Sequence, residues 1–246
     1  MQTDLPEERE QIGDRIDVWT ASLDREEETY ARLESALSPD EIARANRFHF
    51  AKDRKRYVVA RGLLRKILGR YLRQAPAALE FSYGAYGKPA LLGAHVSSGL
   101  TFNLAHSGEL AAYAVSTKRN LGIDVELIKP ESAGEDIARR YFSGREVSDL
   151  LTLPPEQRVA AFFRCWTRKE AYLKATGMGL QTPLDSFSVS LLPGVPAQFL
   201  GGVDPCWHMA AFNPGDNYSG ALAYDGTPSR VRYFDVDSEA DPQGES

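Results

Sequence analysis

The chain is poor in the residues that staple or metallate small folds. It has two cysteines, Cys165 and Cys206, and four scattered histidines in 246 residues. Two thiols make no disulfide framework, and this His/Cys inventory argues against a zinc site. No run of 18 apolar residues occurs, so no membrane-spanning helix is expected. The opening MQTDLPEEREQIGD is acidic and lacks the apolar stretch of a secretory signal, which makes the cytoplasm the expected compartment. There is no short-period repeat, and no low-complexity block before the last dozen residues. What the chain does have is 43% hydrophobic residues, enough for a real core in one large or two modest domains.

The net charge of −5 is unevenly distributed. The tail DVDSEADPQGES, residues 235–246, holds five acids and no base; without it 29 bases face 29 acids. Within that balanced body, residues 44–73 carry eleven Lys and Arg against one acid, Asp53. Such a segment suits an anionic partner or a solvated helix face. A phosphate-tracking, nucleic-acid-binding helix is therefore one reading of it.

The expected organisation is a flexible N-terminus (1–15), an N-terminal half (16–118), a C-terminal half (119–234) and a disordered acidic tail (235–246). Residues 16–23 read as a strand. Ser38-Pro39-Asp40-Glu41 has the residues of a helix start. The helical pattern then runs to about Leu72, with a break near Asp53 and a stripe of Tyr57, Ala60, Leu64, Ile67 and Leu68. A turn and short strand follow at 85–92. Strands are expected at 100–104, 110–116 and 121–128, the last two forming a hairpin through Thr117–Asn120. Ser143-Gly144-Arg145-Glu146 is a second capping box. Pro154-Pro155 opens a long helix that Gly177 closes. Residues 184–234 alternate like strands, and the whole reads as mixed α and β rich in antiparallel pairs.

The most informative strand is Gly122-Ile123-Asp124-Val125-Glu126-Leu127. Residues two apart share a strand face, which puts Asp124 and Glu126 roughly 6–7 Å apart. At an effective dielectric of ~20 they repel by about 2.5 kcal/mol, so a partly buried pair calls for a cation. Oxygen-only ligands suit Mg²⁺, which takes one or two carboxylates and binds substrate phosphates. A third acid, Glu170, lies on one stripe of the long helix with Phe162, Trp166 and Lys174. It either completes an acidic cluster with Lys174 meeting a phosphate, or forms an ordinary i,i+4 ion pair beside a core tryptophan.

Four ordered motifs, Gly87-Lys88-Pro89, Asn103-Leu104-Ala105-His106-Ser107, Gly122–Glu126 and Phe162-x₃-Trp166-x₂-Lys169-Glu170-Ala171-x₂-Lys174, together resemble the 4′-phosphopantetheinyl transferases of the surfactin-synthetase-activator type. The following Gly177–Leu180 and Pro183–Val189 extend the likeness, which covers roughly residues 16–225. The resemblance implies an α+β fold of two similar α/β halves related by a pseudo-twofold, with antiparallel-rich sheets and a ligand cleft between them. It implies a monomeric enzyme that moves the 4′-phosphopantetheine arm of coenzyme A to a serine of an acyl or peptidyl carrier protein, with neither nucleic acid nor membrane as a partner. A non-catalytic relative that only holds coenzyme A or a carrier is the alternative within the same class.

The resemblance also implies roles. Asp124, Glu126 and Glu170 hold Mg²⁺, with Mn²⁺ as the alternative ion. Glu170, or a water it orients, is the base. Lys174 and His106 meet phosphates. Lys88 and its turn, with Pro89, meet the adenine and the nearby phosphate, and Arg44 and Arg56 the 3′-phosphate. The chain departs from the family at Ala105, where the pattern has serine; the hydroxyl contact to phosphate is lost, or Ser107 or a backbone N–H supplies it.

Overall fold

The computed structural model describes residues 15–84 and 86–237, with the side chain of Leu180 excepted. Its helices are α1 (Glu27–Ser35), α2 (Pro39–Ala45), α3 (Ala51–Leu72), α4 (Glu135–Tyr141), α5 (Gly144–Thr152) and α6 (Pro155–Thr176). Its strands are β1 (Ile16–Ser22), β2 (Phe81–Tyr83), β3 (Pro89–Leu91), β4 (Leu100–Ser107), β5 (Leu110–Thr117), β6 (Leu121–Leu127), β7 (Ser188–Val189), β8 (Phe199–Gly201), β9 (Trp207–Phe212), β10 (Tyr218–Asp225) and β11 (Val231–Asp235). They form a four-stranded sheet in the order β11-β1-β5-β4, a three-stranded sheet β6-β10-β9, and the pairs β2-β3 and β7-β8. Every pairing is antiparallel except β1 with β11. The fold is therefore α+β.

Local chemistry explains the long helices. Ser38 starts α2 with a capping box, its N–H donating to Glu41 Oε2 at 3.1 Å. Ser143 does the same for α5 with Glu146 at 2.8 Å. Pro155 stands at the first turn of α6, and Gly177 ends that helix at φ 67°, a conformation open to glycine at little cost. The helical pattern breaks at 46–50, earlier than Asp53, where Phe50 takes an extended conformation as the N-cap of α3. The apolar stripe of α3 then packs on the inner face of the first sheet, with Val58, Leu64 and Leu68 against Trp19, Phe102 and Tyr113.

Two expected pairings change. β5 does not turn back onto β6: it pairs with β4 and β1, and the 118–120 link carries the chain to a second sheet, where β6 pairs with β10. The first sheet already satisfies both edges of β5, so no edge is left for β6. Val231–Phe234, expected in the C-terminal half, return to the first sheet beside β1. Asp17 in β1 favours that return, since it is 1% exposed and receives two bonds from Arg232 at 2.9 and 3.1 Å. The acidic tail begins in structure as well: Asp237 accepts from Ser22 N at 3.0 Å and pairs with Arg25. The rest of the tail, like residues 1–14, lies outside the described residues. No helix among the described residues is long and apolar enough to cross a membrane.

The two sheets meet through β4 and β6, whose shared core includes Ala105, Ile123, Val125 and Leu222. No ladder joins these strands. Instead Asn103 Oδ1 accepts from Ile123 N at 2.9 Å, and Ser107 Oγ accepts from Leu127 N at 3.2 Å. On its other side β6 carries α6 at very short range. A Cβ on Gly122 would lie 2.2 Å from Ala171 O and 2.2 Å from Ala175 N. Only glycine fits there, and Ala171, Ala175, Ala221 and Ala223 complete the close interface.

Candidate active site

The glycine contact sets the site. With α6 pressed onto β6 at Gly122, the next turn of the helix brings Glu170 and Lys174 beside Asp124. Lys174 Nζ donates to Asp124 Oδ1 at 2.6 Å. Asp124 is 3% exposed, and its Oδ2 is buried with no hydrogen-bond partner. Burial pushes the Asp124 carboxyl up to about 7; the Lys174 ammonium opposes this, and Glu126 and Glu170 reinforce it. Lys174 moves the other way. Burial pulls it down, but Asp124, Glu170 and Glu126 together hold it above its ordinary value. Glu170 is half-buried, and that burial raises its pKa, against Lys174 and with Glu126.

The three carboxylates feel one another electrostatically, but they do not close a cage. Among the described residues no group of three or more His, Cys, Asp and Glu is placed to hold a metal ion. The donor chemistry nevertheless suits a hard divalent cation. All three groups offer oxygen, and the unpartnered Oδ2 of Asp124 is a buried acceptor that a cation would satisfy.

A cavity of about 430 Å³ opens beside Glu170, with walls from both halves of the chain; Asp124 and Glu126 are not among its lining residues. Glu170, Leu173 and Lys174 of α6 form one wall; His106, Ala105 and Asn103 of β4 form the floor; Arg44, Tyr57 and Arg61 line the far end. His106 faces this space, and the surrounding protein, then Lys174 and Arg56, hold its pKa below the ordinary value, with Asp53 opposing. Pro89 is buried at the start of β3 and also lines the cavity.

Several expected contacts are redirected. Lys88 lines the cavity, yet its ammonium turns away to the carbonyls of Leu121 at 2.9 Å, Lys174 at 2.7 Å and Ala175 at 3.2 Å. All three of its protons are used in tying the β2–β3 turn to β6 and the C-terminal turn of α6, so its side chain is not placed to meet a phosphate. Desolvation holds its pKa down at about 8. Arg56 is absent from the cavity wall and pairs with Glu109 at 3.2 Å, as Lys52 does at 3.1 Å. Ser107 does not replace the missing serine at 105, because its hydroxyl is committed to Glu126 Oε2 at 2.6 Å.

The same internal pairing explains the basic stretch. Arg61 and Arg65 are buried on the two oxygens of Glu41 at 2.5 and 2.6 Å, and Arg54 reaches Glu34 at 2.7 Å. Much of the positive charge on α3 holds α1 and α2 in place, which removes the continuous phosphate-tracking stripe of a nucleic-acid-binding helix. Arg44, whose guanidinium lies over the Tyr57 ring at 5.7 Å, remains at the cavity mouth.

Sequence reasoning missed Arg61, Tyr57, Tyr83 and Asn103 as cavity residues. The available signal was spacing: Tyr57 and Arg61 are i,i+4 on α3, and Asn103 opens the motif that contains His106.

Comparison with known proteins identifies the family. Residues 120–223 match the family model of the 4′-phosphopantetheinyl transferase superfamily, and residues 19–118 match that of the 4′-phosphopantetheinyl transferase N-terminal region. The chain is 43% identical over 215 residues to the 4′-phosphopantetheinyl transferase HetI of Nostoc sp., spanning 87% of this chain and 90% of that protein. It is 36% identical over 168 residues to Sfp of Bacillus subtilis, spanning 67% and 71% of the two chains. Among solved structures, Thermotoga maritima holo-[acyl-carrier-protein] synthase aligns with a TM-score of 0.35 and 24% identity, over 46% of this chain and 64% of that one. The two family models and the near full-length relative place this chain in the 4′-phosphopantetheinyl transferase superfamily.

Proposed function

We propose that this transferase takes coenzyme A as donor and a carrier-protein serine as acceptor, and that Asp124, Glu126 and Glu170 bind Mg²⁺ or Mn²⁺ for the reaction. The observation that carries the reading is that Glu170, Lys174 and His106 line one cavity walled by both halves, while Asp124, bonded to Lys174 and coupled to Glu126 and Glu170, lies directly behind it. When bound, the ion neutralises charge on the pyrophosphate and on the departing phosphate. The serine oxygen forms a new bond to the pantetheine-side phosphorus as the bridging P–O bond breaks, and adenosine 3′,5′-bisphosphate leaves. Glu170, or a water it orients, takes the serine proton. Lys174 and His106, both on the cavity lining, would meet the phosphates, and Pro89 and the Lys88 backbone border the adenine end. The two halves each pack a 22-residue helix on a sheet, which supports reading them as related by a pseudo-twofold. One chain supplies the whole cavity, so the protein acts as a monomer, in the cytoplasm.

Incubation of an apo carrier protein with this protein, coenzyme A and Mg²⁺ should add one phosphopantetheine to the carrier by mass spectrometry. An unmodified carrier across fatty-acid, polyketide and peptide-synthetase types would refute the assignment. Glu170→Gln should lower kcat by roughly 10²-fold or more while moving coenzyme A affinity little, since general-base catalysis contributes about 10²–10⁴. A change mainly in affinity would give Glu170 another role.

The cavity wall also divides the two arginines. Arg44→Ala should cut the preference for coenzyme A over dephospho-coenzyme A by about tenfold, the scale of one charge-assisted contact to phosphate. Arg56→Ala, whose partner is Glu109, should keep the preference. Equal behaviour of the two variants would move the 3′-phosphate elsewhere.

A further inference from the structure

We infer that Ser107 is a positioning residue that fixes the Glu126 carboxylate for metal binding; this rests on the reading of Glu126 as a ligand. A serine hydroxyl has one proton and two lone pairs. Leu127 N–H donates to the Ser107 oxygen at 3.2 Å, which turns the proton toward Glu126 Oε2 at 2.6 Å. A distance of 2.6 Å is in the range of a charge-assisted O–H···O⁻ bond, stronger than a neutral one. That bond occupies one of the two carboxylate oxygens and fixes the rotamer that sets where the other lies. Without it, a glutamate near the end of β6 would sample several rotamers in water.

The neighbouring positions show that this is more than a strand-to-strand stitch. β4 presents Asn103, Ala105 and Ser107 toward β6. Asn103 makes the equivalent bond to the backbone, at the same offset of 20 residues. Ala105 can make none. Ser107 alone of the three adds a carboxylate to the contact. Groups that orient a metal ligand from behind commonly govern metal affinity by 10–100-fold.

The test uses the full-length protein and Mn²⁺ alone, titrated without coenzyme A and followed by the electron paramagnetic resonance signal of the unbound ion. Ser107→Ala should weaken Mn²⁺ binding by about tenfold or more. It should raise the Mg²⁺ concentration for half-maximal transfer by a similar factor and leave kcat at saturating Mg²⁺ within about twofold. Ser107→Thr, which keeps the hydroxyl, should restore both values, and thermal melts should show all variants folded. If Glu126→Gln loses Mn²⁺ while Ser107→Ala binds it as the parent does, the role of Ser107 is overturned. If Glu126→Gln itself leaves Mn²⁺ affinity unchanged, the ligand assignment fails and the inference falls with it. Equal weakening in Ser107→Ala and Ser107→Thr would also overturn it, because the hydroxyl would then not be the cause.

Discussion

Asp124→Asn should abolish transfer, by roughly a thousandfold or more in kcat, without lowering the melting temperature by more than a few degrees. The catalytic half of this expectation follows from position. Asp124 is the most buried of the three acids and the one in contact with Lys174, so its charge is least screened by water. Loss of one preorganised electrostatic contact commonly costs about 10²–10³ in kcat, and loss of a metal ligand adds to that.

The stability half follows from the raised pKa. Burial makes the ionised carboxylate costly to hold in the folded protein. Asparagine has the same shape and carries no charge. It strands Lys174, but that side chain is 32% exposed, and Glu170 and Glu126 still face it. The two effects largely cancel. The sign of the pH dependence is also determined. With the folded pKa at about 7 and thus above the unfolded value, the folded state binds the extra proton. The contribution is fully present at low pH and is lost as pH rises through about 7. In metal-free buffer the asparagine variant should therefore gain on the parent in melting temperature between about pH 5 and pH 8. Transfer above a tenth of the parent rate would remove Asp124 from the chemistry, and a melting temperature that collapses at every pH would overturn the stability half.

How much of this could be read beforehand depends on how local each signal is. The capping boxes at Ser38 and Ser143, the glycine stop at 177 and the D-x-E strand all express preferences of a few adjacent residues, and they recur in the structure. The choice of strand partner does not. β5 and β6 have hairpin-like patterns, yet partner selection depends on Asp17, Arg232 and the β4 edge, far away in the chain. The redirected cations fail for the same reason. Lys88 looked like a phosphate contact because its three carbonyl acceptors belong to residues 33 to 87 positions away. Arg61 and Arg65 looked solvated because Glu41 is on another helix. Gly122 was legible only as a strand residue; its reason is the backbone of α6 lying against it.

Lys169 and Glu170 are adjacent in the same motif, and substitution should separate them completely. Lys169→Met should lower the melting temperature by about 6–20 °C and leave transfer per folded molecule, measured well below the transition, within a few-fold. Lys169 is fully buried and does not line the cavity. Its ammonium meets Glu146 Oε2 at 2.8 Å and the carbonyls of Leu184 and Phe187 at 2.7 Å each. Glu146 is equally buried; besides Lys169 it accepts from Ser143 N at 2.8 Å and Val189 N at 2.7 Å. The pair thus ties together the start of α5, the middle of α6 and the 184–189 segment. Methionine fills nearly the same volume, so the loss is electrostatic: one buried carboxylate without its cation and two carbonyls without donors. Breaking such a pair from one side costs about 3–5 kcal/mol. At ~2–4 °C per kcal/mol for a chain of this size, the stated shift follows. The double variant Lys169→Met with Glu146→Gln should recover part of the loss, because it removes the unpaired buried charge, although the single amide oxygen can accept from only one of the two backbone N–H groups, which bond to different oxygens of Glu146. A double variant as unstable as the single one, or a single variant that melts like the parent, would show that the pair does not anchor the helix. A transfer rate that falls with the melting temperature intact would instead assign Lys169 to the chemistry.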